Sequence, residues 1–149
     1  MSHLHEAIAR EVGQWRKDGY SSPDYAGIAE IFEWASDPET GTLRILRTPQ
    51  LRALETYWYL RLSEGTPHVF TLYQKLFPNS LDLLQSLGLA TPEITRLLVG
   101  QPLDVLWERI KGDDRFVRES RLESIRETLE LDYPSYIFAL AMGAGKTVL

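Results

Sequence analysis

The sequence contains no cysteine, only two methionines and only three histidines in 149 residues. Without thiols it has neither a disulfide framework nor a thiolate zinc site, which fits a reducing compartment, and the expected location is cytoplasmic. No apolar run approaches the roughly 20 residues needed to cross a bilayer. The start, Met1-Ser2-His3-Leu4-His5-Glu6, lacks the charged and apolar blocks of a secretory leader, so no membrane association is expected. Basic charge is also scarce. Sixteen Lys and Arg stand against 21 Asp and Glu, a formal net charge of −5, whereas a nonspecific nucleic-acid-binding arm needs a basic surface for phosphate contacts. His3, His5 and His68 are scattered, and a His-x-His at a chain start reads as a frayed helix before it reads as a metal site. There is no low-complexity tract and no repeat of fixed period.

What is present suits one soluble domain: 44% hydrophobic and 25% charged residues, with enough length to bury a core. The hydrophobic pattern is mostly helical. Residues 3–17 set Leu4, Ile8, Val12 and Trp15 on one stripe, and residues 24–35 do the same with Tyr25, Ile28, Ile31, Phe32 and Ala35. Asp37 to Gly41 form a turn cluster, after which Thr42 to Leu46 alternate like a short edge strand. A helix then opens near Thr48, a capping residue, with Pro49 in the first turn. Its apolar face is predicted at Leu51, Leu54, Trp58 and Leu62. Trp58 is expected in the core with Tyr57 or Tyr59 at its rim, a simpler reading of this triplet than a platform for stacked bases. Arg44, Arg47, Arg52 and Arg61 face only Glu55 between them and read as a solvated face.

From Thr66 to about Gly112, prolines and glycines alternate at the expected beginnings and ends of short helices, with Leu81, Leu84, Leu87, Leu103, Leu106, Trp107 and Ile110 supplying the apolar faces. Residues 114–130 read as one long helix with Leu122, Ile125 and Leu129 inward, and Asp113-Asp114 as a cap before it. Tyr133-Pro134 ends that helix, and Tyr136-Ile137-Phe138-Ala139-Leu140-Ala141 is a continuous apolar run, as in a strand buried on both faces. The organisation expected is an N-terminal helical segment over 1–40, a strand and helix over 41–64, a helical insertion over 65–132, and a strand with its following loop over 133–149. The fold class expected is mainly α with a small strand component.

The most specific chemistry lies at the end of the chain, in Ala141-Met142-Gly143-Ala144-Gly145-Lys146-Thr147-Val148-Leu149. An apolar strand, a glycine loop and a helix start in that order form a phosphate-binding loop. Gly143 and Gly145 let the backbone turn successive N–H groups, with that of Ala144 between them, toward a phosphate chain. Lys146 brings a positive charge to the β and γ phosphates, the Thr147 hydroxyl ligates Mg²⁺, and the helix starting near Gly145 adds its free N–H groups. The competing reading is a Gly-rich turn with a solvated lysine. The full pattern places its first glycine where this chain has Leu140.

That relaxed form resembles the first motif of superfamily 2 helicases and translocases. A second stretch, Leu46-Arg47-Thr48-Pro49-Gln50-Leu51-Arg52-Ala53-Leu54, is similar to the segment in which those proteins open a helix with an adenine-reading glutamine. A Gln carboxamide has the donor and acceptor set that matches adenine N6 and N7. Against this stands an ordinary exposed first-turn residue at Gln50. The two motifs are nearly a hundred residues apart, which the helical insertion explains. A closer candidate, Arg118 to Ile125, has Arg121 where glutamine is expected. Together the motifs resemble the amino-terminal part of DEAD/DEAH-type helicases related to type III restriction enzyme restriction (Res) subunits. The resemblance implies the start of a RecA-like α/β lobe, ATP and Mg²⁺ as cofactors bound through Gln50, Gly143, Ala144, Gly145, Lys146 and Thr147, and DNA as partner of the full-length parent. It also implies a chain cut just after the first nucleotide motif, with no catalytic residue of its own and feeble nucleotide affinity when isolated. The acidic group that completes the Mg²⁺ site and positions water is absent from these residues. Two other readings remain: a helical interaction or regulatory module without activity, and a different P-loop class whose upstream helices form a lid.

Overall fold

The computed structural model describes residues 3–98, 101, 103–129, 136, 137, 139 and 140. The protein is mainly helical, and among the described residues the strand content is one isolated antiparallel bridge, Ser36 to Leu43, with no sheet. No described helix is long and apolar enough to cross a membrane. The chain divides into two compact units: His5–Pro67 with Ser135–Leu149, and His68–Pro134 with Met1–Leu4.

The first unit begins with α1 (Leu4–Lys17), which buries Ala7, Val12 and Trp15. The helix ends in a left-handed turn at Gly19 (φ 69°) and Tyr20 (φ 55°), and Tyr20 N–H donates to Trp15 O at 2.9 Å. A non-glycine residue in this conformation costs roughly 1–2 kcal/mol. Here the turn folds the Tyr20 ring back onto Trp15 (5.2 Å, edge to face) and stacks it on Phe32 (4.6 Å) of α2 (Gly27–Trp34). On α2, Ile28 and Phe32 are buried, and so is Ala35 at its end; the predicted stripe members Tyr25 and Ile31 are instead exposed. The turn at Asp37 to Gly41 forms through the Asp37 carboxylate, which accepts the Glu39 and Thr40 N–H groups, both at 3.0 Å. These bonds hold that carboxyl below its ordinary titration range. The strand expected over 42–46 reduces, among the described residues, to the single bridge of Leu43 with Ser36 at the end of α2.

The unit continues with α3 (Thr48–Trp58), which runs into a π-helical turn over Tyr59–Ser63. Arg47, not Thr48, occupies the cap position, with Pro49 in the first turn. The burial on α3 also differs from the predicted face. Leu51, Leu54, Trp58 and Leu62 are only half-buried, whereas Gln50, Glu55, Tyr59 and Leu60 are buried. Tyr59, expected at the rim if anywhere, packs 5.8 Å from Trp15, while Tyr57 and Trp58 pack on each other.

The second unit consists of α4 (Val69–Leu76), α5 (Ser80–Ser86), α6 (Pro92–Leu97), α7 (Leu103–Gly112), α8 (Asp114–Glu119) and α9 (Glu123–Leu129). Most of these short helices start on a side-chain cap. His68 accepts from Phe70 N, Asn79 from Leu81 N and Asp82 N, Thr91 from Ile94 N, and Asp113 from Phe116 N. Their apolar faces meet in one cluster of Leu84, Leu89, Ile94, Leu98, Leu106, Ile110, Phe116, Val117 and Leu122. Leu81 lies outside it at 48% exposure, whereas Leu83 on the same helix is buried at 0%. The single helix expected over 114–130 is broken: Arg121 adopts φ 55° and Leu122 N–H returns to Val117 O at 2.9 Å. The break turns Leu122 into the core at 1% exposure. Arg126 then holds the two halves together, donating to Asp114 Oδ1 at 2.6 Å and to Lys111 O at 2.9 Å.

Candidate functional site

The first unit contains both a helix with Gln50 in its first turn and the residues that precede Gly143. Gln50 is the third residue of α3, the position from which a side chain reaches back over the helix start. Its Oε1 accepts the Arg47 N–H at 2.6 Å, and the residue is 1% exposed. The glutamine therefore closes the helix N-terminus. A nucleobase contacting it through that oxygen requires the carboxamide to turn outward and give up this bond, at a cost of about 1 kcal/mol.

One turn further along α3 is the group that sequence reasoning missed. Glu55 is fully buried, at 0% exposure, and its carboxylate takes a two-pronged ion pair from Arg16 of α1 (Nε to Oε1 2.6 Å, Nη2 to Oε2 2.5 Å). Tyr20 adds its hydroxyl to Oε1 at 2.8 Å, and Arg52 stands 3.7 Å from Oε2. Bidentate guanidinium pairs of this kind are among the stronger protein hydrogen bonds. Burial, with help from the bond to Glu55, pushes the Tyr20 phenol up to about 12, and the same carboxylate raises Arg16. The signal was present in the spacing: Glu55 lies on the stripe of Leu51, Trp58 and Leu62, where a lone acid implies a buried partner. Nothing local identifies that partner as Arg16.

The opposite side of α3 forms an open, mostly apolar cleft of about 500 Å³. Arg52, Ala53, Thr56 and Tyr57 line one wall, Leu60 of the π-helical turn extends it, and His5 of α1 reaches its edge. Tyr136, Ile137, Ala139 and Leu140 form the other wall. The Tyr136 ring meets Tyr57 edge to face at 5.9 Å, and burial raises the Tyr136 hydroxyl above its ordinary range. So the chain returns to α3 a few residues ahead of the sequence over 143–147. The residues between the two segments belong largely to the other unit.

Of the strand expected over 136–141, residues 136, 137, 139 and 140 are described, and none is in a strand; Ile137 is 89% exposed. A parallel strand gains its ladder and its burial from strands beside it, and the described residues contain none. Gly143, Ala144, Gly145, Lys146 and Thr147 lie outside the described residues. The competing adenine segment, Arg118 to Ile125, spans the break between α8 and α9, with Arg121 exposed in the left-handed turn. The arginines expected as a solvated face, Arg44, Arg47, Arg52 and Arg61, are all exposed. Arg52 pairs with Glu55, Arg61 reaches the Tyr57 hydroxyl at 3.4 Å, and Arg44 lies over the Trp34 ring. A scan against protein-family models, a search of curated proteins and a search of solved structures each returned no match.

Proposed function

We propose that this chain supplies ATP-binding elements of a superfamily 2 helicase or translocase similar to the Res subunits of type III restriction enzymes. Gly143, Ala144, Gly145 and Lys146 hold the triphosphate, Thr147 ligates Mg²⁺, and Gln50 reads the adenine. Residues 133–149 then begin a RecA-like lobe, and DNA is the partner of the whole enzyme. The observation that supports the reading is the return of residues 136, 137, 139 and 140 to the Arg52–Tyr57 side of α3 within one unit, although Gln50 itself does not line that cleft. Adenine and phosphate elements distant in sequence need such a return before one nucleotide can span them. The engaged Gln50 carboxamide is compatible with it, because about 1 kcal/mol to turn a side chain outward is small beside the free energy of even micromolar binding, about 8 kcal/mol.

The test is calorimetric titration of the full-length protein with ATP and Mg²⁺. Lys146→Ala should weaken binding at least a hundredfold with the helical circular dichroism unchanged. Gln50→Glu keeps an oxygen for the Arg47 N–H and removes the amide donors, so it should lose the preference for ATP over GTP while α3 stays folded. Unaltered ATP affinity in Lys146→Ala would sink the proposal and leave the chain as a helical interaction module.

A further inference from the structure

Between Ser21 and Leu43 the sequence carries Asp24, Glu30, Glu33, Asp37 and Glu39 and no Lys, Arg or His, so this stretch alone accounts for the net charge of −5. The same stretch exposes large apolar side chains, Tyr25 at 57%, Ile31 at 61% and Trp34 at 56%, and Ile45, just past Arg44, is 60% exposed. Helix α2 already buries Ile28 and Phe32 on its inner face, and a surface helix normally presents polar residues on the other side. Here Ile31 and Trp34 stand exposed on that side beside Glu30 and Glu33. The Ser36 to Leu43 bridge brings the returning chain alongside the end of α2, where Arg44 N–H donates to Ala35 O at 3.0 Å. The Arg44 guanidinium lies 5.9 Å from the Trp34 ring centroid. An exposed tryptophan with an arginine on its face has the composition of an interface hot spot.

The charge selects the occupant. Nucleic acid and anionic lipid both meet a cluster of carboxylates, and a second copy of the chain sets one acidic stretch against another. A protein segment with apolar side chains flanked by lysine or arginine satisfies both the apolar face and its rim. We propose that Ile31, Trp34, Arg44 and Ile45 form a docking surface for a basic amphipathic protein segment, held at its edges by Glu30 and Glu33.

The probe is a labelled 18-residue amphipathic helical peptide of leucine and lysine, titrated into the 149-residue chain and followed by fluorescence anisotropy and by the indole N–H resonance of Trp34. Saturable binding that shifts the Trp34 resonance is expected. The double variant Ile31→Ser/Trp34→Ser should weaken binding at least tenfold, and so should Glu30→Lys/Glu33→Lys, both with unchanged circular dichroism because all four side chains point outward. A leucine and glutamate peptide should not bind. Equal affinity for Ile31→Ser/Trp34→Ser, or equal affinity for a lysine and serine peptide, would overturn the proposal in favour of charge attraction alone. Self-association of the wild-type chain in light scattering, lost in the same double variant, would overturn it in favour of a second copy.

Discussion

The two units build their interiors from different materials. Among the described residues, the buried side chains of the unit over His68–Pro134 are apolar, with Leu84, Leu106, Ile110 and Leu122 each 1% exposed. The other unit encloses an ion pair: Glu55 at 0% exposure between Arg16, Tyr20 and Arg52, with the Tyr20 ring packed in turn on Trp15 and Phe32. An apolar cluster tolerates rearrangement as long as volume is conserved. A buried carboxylate holds its partners at fixed distances, and its loss leaves a charge without compensation. The fold thus places its directional contacts on α3, between the helix start at Gln50 and the cleft at Tyr57.

The largest expected effect tests the apolar side of this contrast. Leu106→Ala removes a fully buried side chain and should destabilise the second unit by about 3 kcal/mol in urea denaturation, a typical cost for a cavity of this kind. Glu55→Ala should come next, at about 2 kcal/mol. A fully buried pair costs more when broken, but Arg16 is 31% exposed and regains water. The sharper version is the pair Arg16→Met/Glu55→Leu, expected to recover most of that loss. Recovery means the ion pair specifies geometry more than it adds stability, and a loss larger than that of Glu55→Ala alone refutes the contrast.

Tyr20→Phe is expected to cost about 1.5 kcal/mol near neutral pH, the typical value of a hydrogen bond to a charged group. It also has a signature at high pH. The phenol is pushed from its ordinary 10.0 up to about 12 in the folded protein. At pH below 10 it is protonated in both states, and its contribution is fully present. Between pH 10 and 12 the unfolded chain releases the proton first, so stability falls as pH rises through this window. The fall should be shallower in Tyr20→Phe, measured as the slope of unfolding free energy against pH. Smallest is Arg121→Gly at the left-handed break between α8 and α9, where glycine is the residue usually preferred. A gain of roughly 0.5 kcal/mol is expected, because relief of backbone strain exceeds the added freedom of the unfolded chain.

The same contrast decided what was legible in the sequence. Helical periodicity and the Pro and Gly punctuation identified a mainly helical chain, and Leu84, Leu106 and Ile110 as core, because apolar burial leaves a local trace. Asp113 was recognisable as a cap for the same reason, since its partner, the Phe116 N–H, is three residues away. Glu55 was read as part of a solvated face because its main partner, Arg16, sits on another helix. The alternative of an exposed Gln50 fails because its carboxamide bonds the Arg47 N–H, and Tyr59, expected at the rim of Trp58, is instead buried beside Trp15. The break at Arg121 went unseen since neither glycine nor proline marks it. The strand over 136–141 rested on composition alone, whereas a strand needs neighbours to exist.

Photo-crosslinking the protein with 8-azido-ATP and Mg²⁺, followed by peptide mapping, tests most directly the proposal that α3 and residues 143–147 serve one nucleotide. Label should fall on residues 48–58 or 136–140, be displaced by excess ATP but not by GTP, and disappear in Lys146→Ala. Label confined to other segments, or undiminished by excess ATP, would contradict a shared nucleotide site.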